Sequence, residues 1–386
     1  MKKQSACAGN GKEQMQYLAV KVRLHPTAEQ KEQIEKTFHA CRYLWNKMLS
    51  DVQEFYAATD IHYIPTPARY KTEAPFLREI DSQALTTVHQ QLRKAFLDFF
   101  RNPASFQYPK FKTKKENKNS FTVYCRQYCT GPSIRVSKTG IQMPKLGLIP
   151  ANVYRKPSIK WSVRFVTISK TGSGKYFCSV TFGREALKPE PVVPAPEKTL
   201  GLNYSLSRFY VDSKGGSPEL PAVAKSKKKL AHMQQKLSRM EHGSKNYEKQ
   251  LYKIRLLHEH IANQRKDFIH KESRRIANAC DAVCVRKFDL VELSQKFKPV
   301  NGNVMEYSFG RFRLCLKYKL EQQGKPFIVV DRIAPVAKSC CKCGYVNEKL
   351  NTHTPNWVCP GCGATLDRAV NTAENLRNMG LAQLQK

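Results

Sequence analysis

The chain has 386 residues, 41 % of them hydrophobic, with 66 Lys or Arg against 31 Asp or Glu and a formal charge of +35. At roughly 150 residues per domain this length fits two or three packed domains, and the apolar share excludes a disordered basic tail. So many cations repel one another and call for a polyanionic partner, nucleic acid before an acidic membrane surface, while no stretch approaches the ~18 uninterrupted apolar residues of a transmembrane helix.

The first sixteen residues, MKKQSACAGNGKEQMQ, carry lysines but no apolar run, so no secretory signal is expected there. In YLAVKVRL (17–24), Leu18, Val20, Val22 and Leu24 alternate as in a strand. Thr27 with Gln30 forms a capping-box pattern that opens a helix, along which Ile34, Phe38, Cys41, Leu44 and Met48 make one apolar stripe. A second helix follows Asp81, burying Leu85, Val88, Leu92, Phe96 and Phe99. A basic loop, YPKFKTKKENKNSF (108–121), leads into short strands that run to about 182. VRFVTIS and KYFCSVTF around TGSG (171–174) predict a hairpin.

KPEPVVPAPE (188–197) holds four prolines and predicts a stiff, extended linker and a domain boundary. Beyond it come two β segments ending at a turn, an antiparallel helix pair over 225–278, a strand at 281–286, a helix around 308–323 and a strand at 326–331. Alternating strands and helices predict an α/β or α+β second domain.

Eight of the thirteen cysteines are scattered and five crowd into 340–362, which in a chain without a secretory signal indicates reduced thiols and one local metal site. Cys340 and Cys343, then Cys359 and Cys362, form two CxxC pairs fifteen residues apart, and Gly344 and Gly363 follow them. Two such knuckles close a tetrahedral Zn²⁺ with no open position, so the expected zinc is structural; Cys341 is a bystander. A redox CxxC would not need a duplicate.

The knuckles followed by LDRAVNTAENL, and preceded by VVDRIAPVAKSC, resemble the carboxy-terminal half of TnpB proteins. These are transposon-encoded RNA-guided DNA nucleases related to type V CRISPR effectors. LHPTAEQ, DSQALTTVHQQLRKAFLDFF, YPKFK, MPKLGLIP, TISKTGSGKYF, LGLNYS and IANQRKDFIHK also match, in family order, so the resemblance spans nearly the whole chain. It implies an α+β multidomain fold: a wedge β-barrel (1–24 and 121–187) interrupted by a helical recognition domain (25–120), then the Pro-rich linker (188–198). A RuvC, ribonuclease-H-like α/β domain (199–335 and 364–386) follows, with a helical insertion (225–278) and a zinc ribbon (336–363).

The resemblance also implies three carboxylates that hold two Mg²⁺ ions for in-line cleavage. Where the family has its first Asp, in a Gly-Ile/Leu-Asp motif, this chain has Gly201-Leu202-Asn203. Where the family has Glu, at the end of the 281–286 strand, it has Arg286. Where the family has the second Asp of its DRD, it has Ala369. Asn203 offers a neutral oxygen and Ala369 nothing. At an effective dielectric of ~20, a guanidinium ~5 Å from a divalent ion opposes it by roughly 6–7 kcal/mol before screening. Of the neighbouring acids, Asp289 and Glu292 fall past the strand, Asp289 by about 10 Å at ~3.3 Å per residue, Asp367 faces about 200° from Ala369 if helical, and Asp212 sits at the far end of the hairpin. The other family motifs persist, which favours specific loss of cutting over general decay.

The expectation is therefore a nuclease-inactive, RNA-guided DNA-binding protein of the bacterial cytoplasm and nucleoid, with a guide RNA and a double-stranded DNA target as partners. One chain per RNA is expected, with structural Zn²⁺ and no catalytic Mg²⁺, and transcriptional repression by occupancy as output. The alternatives are an active endonuclease that uses displaced acids, or an RNA-free DNA-binding transposon accessory protein. The resemblance makes Arg42, Tyr43, Asn46, Ser82, Gln83, Thr86, Gln90 and Arg93 candidates for reading a motif beside the target. Lys110, Lys112, Lys114 and Lys115 form a candidate phosphate-contacting strip.

Overall fold

The computed structural model describes residues 13–114, 119–155, 157–205, 208–220, 223–287, 309–331, 335–351 and 354–385. The chain divides into two compact units, one ending at Leu187 and the other starting at Lys188.

In the first unit, β1 (Glu13–Leu24) runs into α1 (Ala28–Thr59), then a short α2 (Tyr70–Glu73) and α3 (Ser82–Arg101). Thr27 caps α1 with the expected box: its Oγ1 accepts from the Gln30 N–H at 3.3 Å and its N–H donates to Gln30 Oε1 at 3.1 Å. The Gln30 amide also donates to the carbonyls of Leu146 and Leu148, both at 2.9 Å, and so ties the start of α1 to a strand meander 116 residues away. Asp81 caps α3 by accepting from the Gln83 N–H at 2.7 Å. The stripe of Ile34, Phe38, Cys41, Leu44 and Met48 is buried in one core with Leu85, Val88, Leu92 and Phe96.

Seven strands follow in β2 (Ser120–Tyr124), β3 (Gln127–Tyr128), β4 (Gly131–Pro132), β5 (Arg135–Val136), β6 (Gly140–Met143), β7 (Gly147–Pro150) and β8 (Ser162–Lys170), and β9 (Tyr176–Leu187) closes the unit. The predicted hairpin is β8–β9, turned at Gly174, whose φ of +80° suits glycine. β1 pairs with β9 along its whole length, in the sheet order β1-β9-β8-β2. The expected closed barrel is not formed by these ladders: among the described residues β1 and β2 are the two outer edges of an open sheet. The short strands pair separately as β3-β4 and β5-β6-β7, joined to the end of β1 by the Leu24–Ala151 bridge. Pro132, Pro144 and Pro150 punctuate that stretch, and proline cannot donate to a ladder.

The second unit is built on β10 (Thr199–Ser205), β11 (Phe209–Asp212), β12 (Ala282–Arg286) and β13 (Phe327–Val330), in the order β11-β10-β12-β13. β10, β12 and β13 are parallel and β11 is an antiparallel edge. The predicted helix pair is α4 (Val223–Ser238) and α5 (Lys245–Ala279), pinned where Gln250 donates to the Met233 carbonyl at 3.1 Å. One face of the sheet buries Leu200, Leu202, Val283 and Val285 against α5 and against α6 (Phe309–Glu321). The other face receives α7 (Arg368–Leu384) so closely that a Cβ on Gly201 would collide with the Ala373 carbonyl. Helices on both faces explain the continuous apolar runs of these strands. The Pro-rich stretch is not a free linker: it belongs to the second unit, where the Val192 N–H donates to the Gly324 carbonyl at 2.9 Å.

Candidate functional site

Three sequence-selected positions meet at one end of the second sheet. The β10–β12 register ends at Leu202 opposite Val285, so the next residues, Asn203 and Arg286, stand side by side at the carboxyl ends of parallel strands. Side chains alternate along a strand. Gly201 faces α7, so Asn203 does too. Cys284 lies against Gly380 of α7, so Arg286 shares that side. Ala369 is in the first turn of α7, and Asn203 Nδ2 donates to its carbonyl at 3.2 Å. The fold thus brings together positions 83 and 166 residues away from Asn203 along the chain.

The neighbouring acids are engaged elsewhere. Asp367 caps α7, its Oδ1 accepting from the Ala369 N–H at 2.7 Å and the Val370 N–H at 3.0 Å. Asp212 is paired with Leu202 and so faces the opposite side of the sheet from Asn203, where its Oδ1 accepts from the N–H groups of Lys214 and Gly216. Asp289 and Glu292 lie outside the described residues.

The cysteine tetrad is complete. Its four Sγ atoms lie within 4.8 Å of one another, with 3.8 Å between Cys340 and Cys362 and 3.6 Å between Cys343 and Cys359. A tetrahedron of Zn–S bonds of 2.3 Å has an S···S edge of about 3.8 Å, so these thiols fit Zn²⁺. Each knuckle turns through a glycine with positive φ, +76° at Gly344 and +71° at Gly363. Each of those N–H groups returns to the carbonyl of the first cysteine of its pair, at 2.9 and 2.8 Å. β14 (Asn356–Val358) and β15 (Thr365–Asp367) form the hairpin that carries the second knuckle. Burial opposes ionisation of Cys359, but the N–H groups of Cys362 and Gly361 and the adjacent thiols outweigh it and lower its pKa, while the same set of thiols raises that of Cys343.

Two residues outside the selected set fasten this ribbon to α7. Asn371 Oδ1 accepts from the Cys341 N–H at 2.8 Å while its amide donates to the Ser339 carbonyl at 2.7 Å. Asn375, one turn on, donates to the carbonyls of Val336 and Ser339. Both are buried. Cys341 therefore contributes its backbone, and burial, with the Glu374 carboxylate, pushes its thiol up to about 12.

The candidates in the first unit separate into two groups. Ser82, Gln90 and Arg93 are exposed on α3, and Arg42, Tyr43, Gln83 and Thr86 are half-buried. Arg42, Tyr43, Asn46, His39 and Lys47 line a hollow of about 330 Å³, and the Thr86 hydroxyl donates back to the Ser82 carbonyl. Asn46 is a structural tie: its Oδ1 accepts from the Lys112 N–H at 2.7 Å and its Nδ2 donates to the Lys112 carbonyl at 2.9 Å. Lys112 turns inward, its ammonium 3.5 Å from the centre of the Trp45 ring, and burial lowers it to about 8. The expected lysine strip is therefore reduced to Lys110 and Lys114, which are exposed, with Lys115 outside the described residues.

Three family models match the chain: "Probable transposase" over residues 182–296, "Helix-turn-helix domain" over 15–60, and "Cas12f1-like, TNB domain" over 309–376. A "Putative RNA-guided DNA endonuclease" of Streptomyces pristinaespiralis is 28 % identical over 376 residues, covering 94 % of this chain and 89 % of that protein. The "Putative RNA-guided DNA endonuclease InsQ" of Escherichia coli K12 is 26 % identical, covering 95 % and 93 %. The chain is TnpB-like. A cryo-EM structure of a Cas12f1–sgRNA–target DNA complex contains a chain of the same fold, with a TM-score of 0.60 at 13 % identity over 94 % of this chain and 99 % of that one. In this TnpB-like chain the transposase match contains Asn203 and Arg286, and the TNB match contains the cysteine tetrad and Ala369. The residues of the helix-turn-helix match fold here as β1 and the single long α1.

Proposed function

We propose that this protein is an RNA-guided DNA binder that does not cut, and that it represses transcription by occupying its target. The observation that carries this reading is the convergence of Asn203, Arg286 and Ala369 on one face at one sheet end, where the family motifs would set three carboxylates. A neutral amide, a cation and a methyl group do not fit a pair of Mg²⁺ ions, and of the neighbouring acids Asp367 is held at a helix cap and Asp212 at a turn. Guided binding is supported by the two near-full-length relatives, both named as putative RNA-guided DNA endonucleases, and by the +35 charge. In such a system base pairing reads the target and the protein reads only a short adjacent motif.

The test begins with the native protein: the RNA that copurifies with it is sequenced, and a duplex complementary to its guide segment is made. The protein–RNA complex is expected to shift that duplex and not a scrambled one, and to silence a reporter whose promoter carries the matched site. Absence of a discrete RNA, with DNA binding retained, would contradict guided binding and favour the RNA-free module.

A further inference from the structure

The sheet β1-β9-β8-β2 of the first unit has two unlike faces. One is core, where Val22, Val180, Val166 and Val123 are buried. The register sets the opposite face as three rows of four positions across the strands, running from Arg23, Lys21 and Ala19 on β1 to Ser120, Thr122 and Tyr124 on β2. None of the twelve is buried. A sheet face in water needs only polar residues, and the six Ser or Thr hydroxyls of these rows meet that need. The rings of Phe177, Phe165 and Tyr124 go beyond it. Phe165 and Tyr124 are opposite each other, with centroids 5.3 Å apart, and Lys21 holds its ammonium 4.4 Å from the centre of the Phe177 ring. From ~4.8 Å between strands and ~3.4 Å per residue, Phe177 stands roughly 14 Å from Phe165, with a row of hydroxyls between them.

Charge and chemistry select the partner. The three rows hold two cations and no Asp or Glu; the first acid on this side, Glu185, lies two residues past Gly183. A third cation is built in. The register of β8 breaks between Val163 and Phe165, and the exposed Arg164 lies over Gly183, where a Cβ would come within 2.8 Å of its Nε. Past the β1 edge, Lys21 and Arg23 open into a hollow of about 520 Å³ that they share with Arg155 and the 88 % exposed Tyr154. Cations without acids fit a polyanion, and open ring faces among them fit bases that are not already stacked in a duplex. Hydroxyl side chains both donate and accept, and so can pair with a ribose 2′-hydroxyl, which DNA lacks.

We infer that this open sheet face holds an unpaired stretch of RNA, its bases stacked on Phe177, Phe165 and Tyr124 and its phosphates met by Lys21, Arg23 and Arg164. Lys21 then leaves the Phe177 ring to a base and turns to the adjoining phosphate. The inference rests on the reading of the chain as RNA-bound and adds where, and in what form, RNA is held. It is independent of whether the chain cuts.

The native protein–RNA complex is crosslinked with ultraviolet light and digested, and the peptides that carry RNA are sequenced by mass spectrometry. Adducts are expected on the peptides containing Tyr124, Phe165 or Phe177. A native preparation without RNA overturns both the guided reading and this inference, whereas RNA whose adducts fall only on other peptides overturns this inference alone. The full chain, stripped of nucleic acid, is also titrated with a short oligo(U), the oligo(dT) of equal length and an RNA duplex. Oligo(U) is expected to bind the tightest. Tyr124→Ala with Phe165→Ala should weaken it about tenfold or more, and Phe165→Tyr, which keeps the ring, should not. Lys21→Gln should lower the slope of log affinity against log salt by about 0.7. Ser179→Ala with Thr181→Val should bring oligo(U) down to the affinity of oligo(dT). Wild-type binding by a folded Tyr124→Ala, Phe165→Ala variant overturns the inference; should that variant not fold, the crosslinks to the wild type decide. Equal affinity of the wild type for oligo(dT) assigns the face to a single DNA strand, and a preference for the duplex assigns it to paired RNA; either overturns the inference as well.

Discussion

Two places in the second unit bring together residues that are distant in sequence, and they differ in what the sequence has put there. In the ribbon, four thiols at tetrahedral spacing stand on glycine-turned knuckles that two buried asparagines bolt to α7. At the strand ends, a few residues from where the same helix begins, the backbone converges just as closely and the side chains are Asn203, Arg286 and Ala369. Geometry alone therefore does not make a metal site. Backbone register delivers positions to a point, and residue chemistry decides whether an ion, a hydrogen bond or a cation occupies it.

The sharpest way to break the contrast is to damage the complete site. Cys340→Ser, or chelation of the wild type, is expected to abolish stoichiometric zinc and unfold residues 336–367, because structural zinc contributes of order 10 kcal/mol to domains of this size. Metal analysis together with proteolysis of the ribbon reads both effects, and a ribbon that resists protease without metal would refute a structural role.

The converse is to refill the other site. Asn203→Asp, Arg286→Glu and Ala369→Asp together are expected to create Mg²⁺ affinity measurable by calorimetry where the wild type has none. Asn203→Asp alone should not, since Arg286 still opposes a divalent ion by several kcal/mol. Equal Mg²⁺ binding by wild type and triple variant would contradict the assignment of these positions.

A smaller effect tests the bolt between them. Asn371→Ala leaves the Cys341 N–H without its partner, while the Ser339 carbonyl keeps Asn375, and should cost about 1–2 kcal/mol in denaturant unfolding with zinc retained. A cost below about 0.5 kcal/mol would show that the ribbon is held by the metal alone.

Another test lies in the first unit. Burial lowers Lys112 to about 8 from its ordinary 10.5, with the Trp45 ring offsetting part of that effect. Between these values the unfolded chain holds the proton and the folded chain does not, so stability rises with pH across about 8 to 10.5; below pH 8 both states are charged and the burial cost stands in full. Lys112→Met should remove that rise, read as the pH dependence of the denaturant midpoint. A rise that persists in the variant would place its origin elsewhere.

Much of this was legible in the sequence because it is local or periodic. The capping box at Thr27, the TGSG hairpin, the helix pair and the two CxxC knuckles are set by neighbours within a few residues. The convergence of Asn203, Arg286 and Ala369 was legible only through family resemblance, since nothing in their spacing brings positions 166 residues apart together. What the sequence hid depends on long-range pairing. The amide of Asn46 looks like a polar group on a wet helix face until the chain returns at Lys112, 66 residues later, and occupies it. The open sheet differs from the barrel that the resemblance implies because closure depends on edge pairings, and here β1 and β2 stay at the two edges.

Target engagement without scission is addressed directly by one assay. The native protein–RNA complex is incubated with Mg²⁺ and a supercoiled plasmid carrying the matched target and its adjacent motif. The predicted result is a plasmid retarded by bound complex that, after deproteinisation, is recovered fully supercoiled; accumulation of nicked or linear plasmid that depends on the match would contradict it.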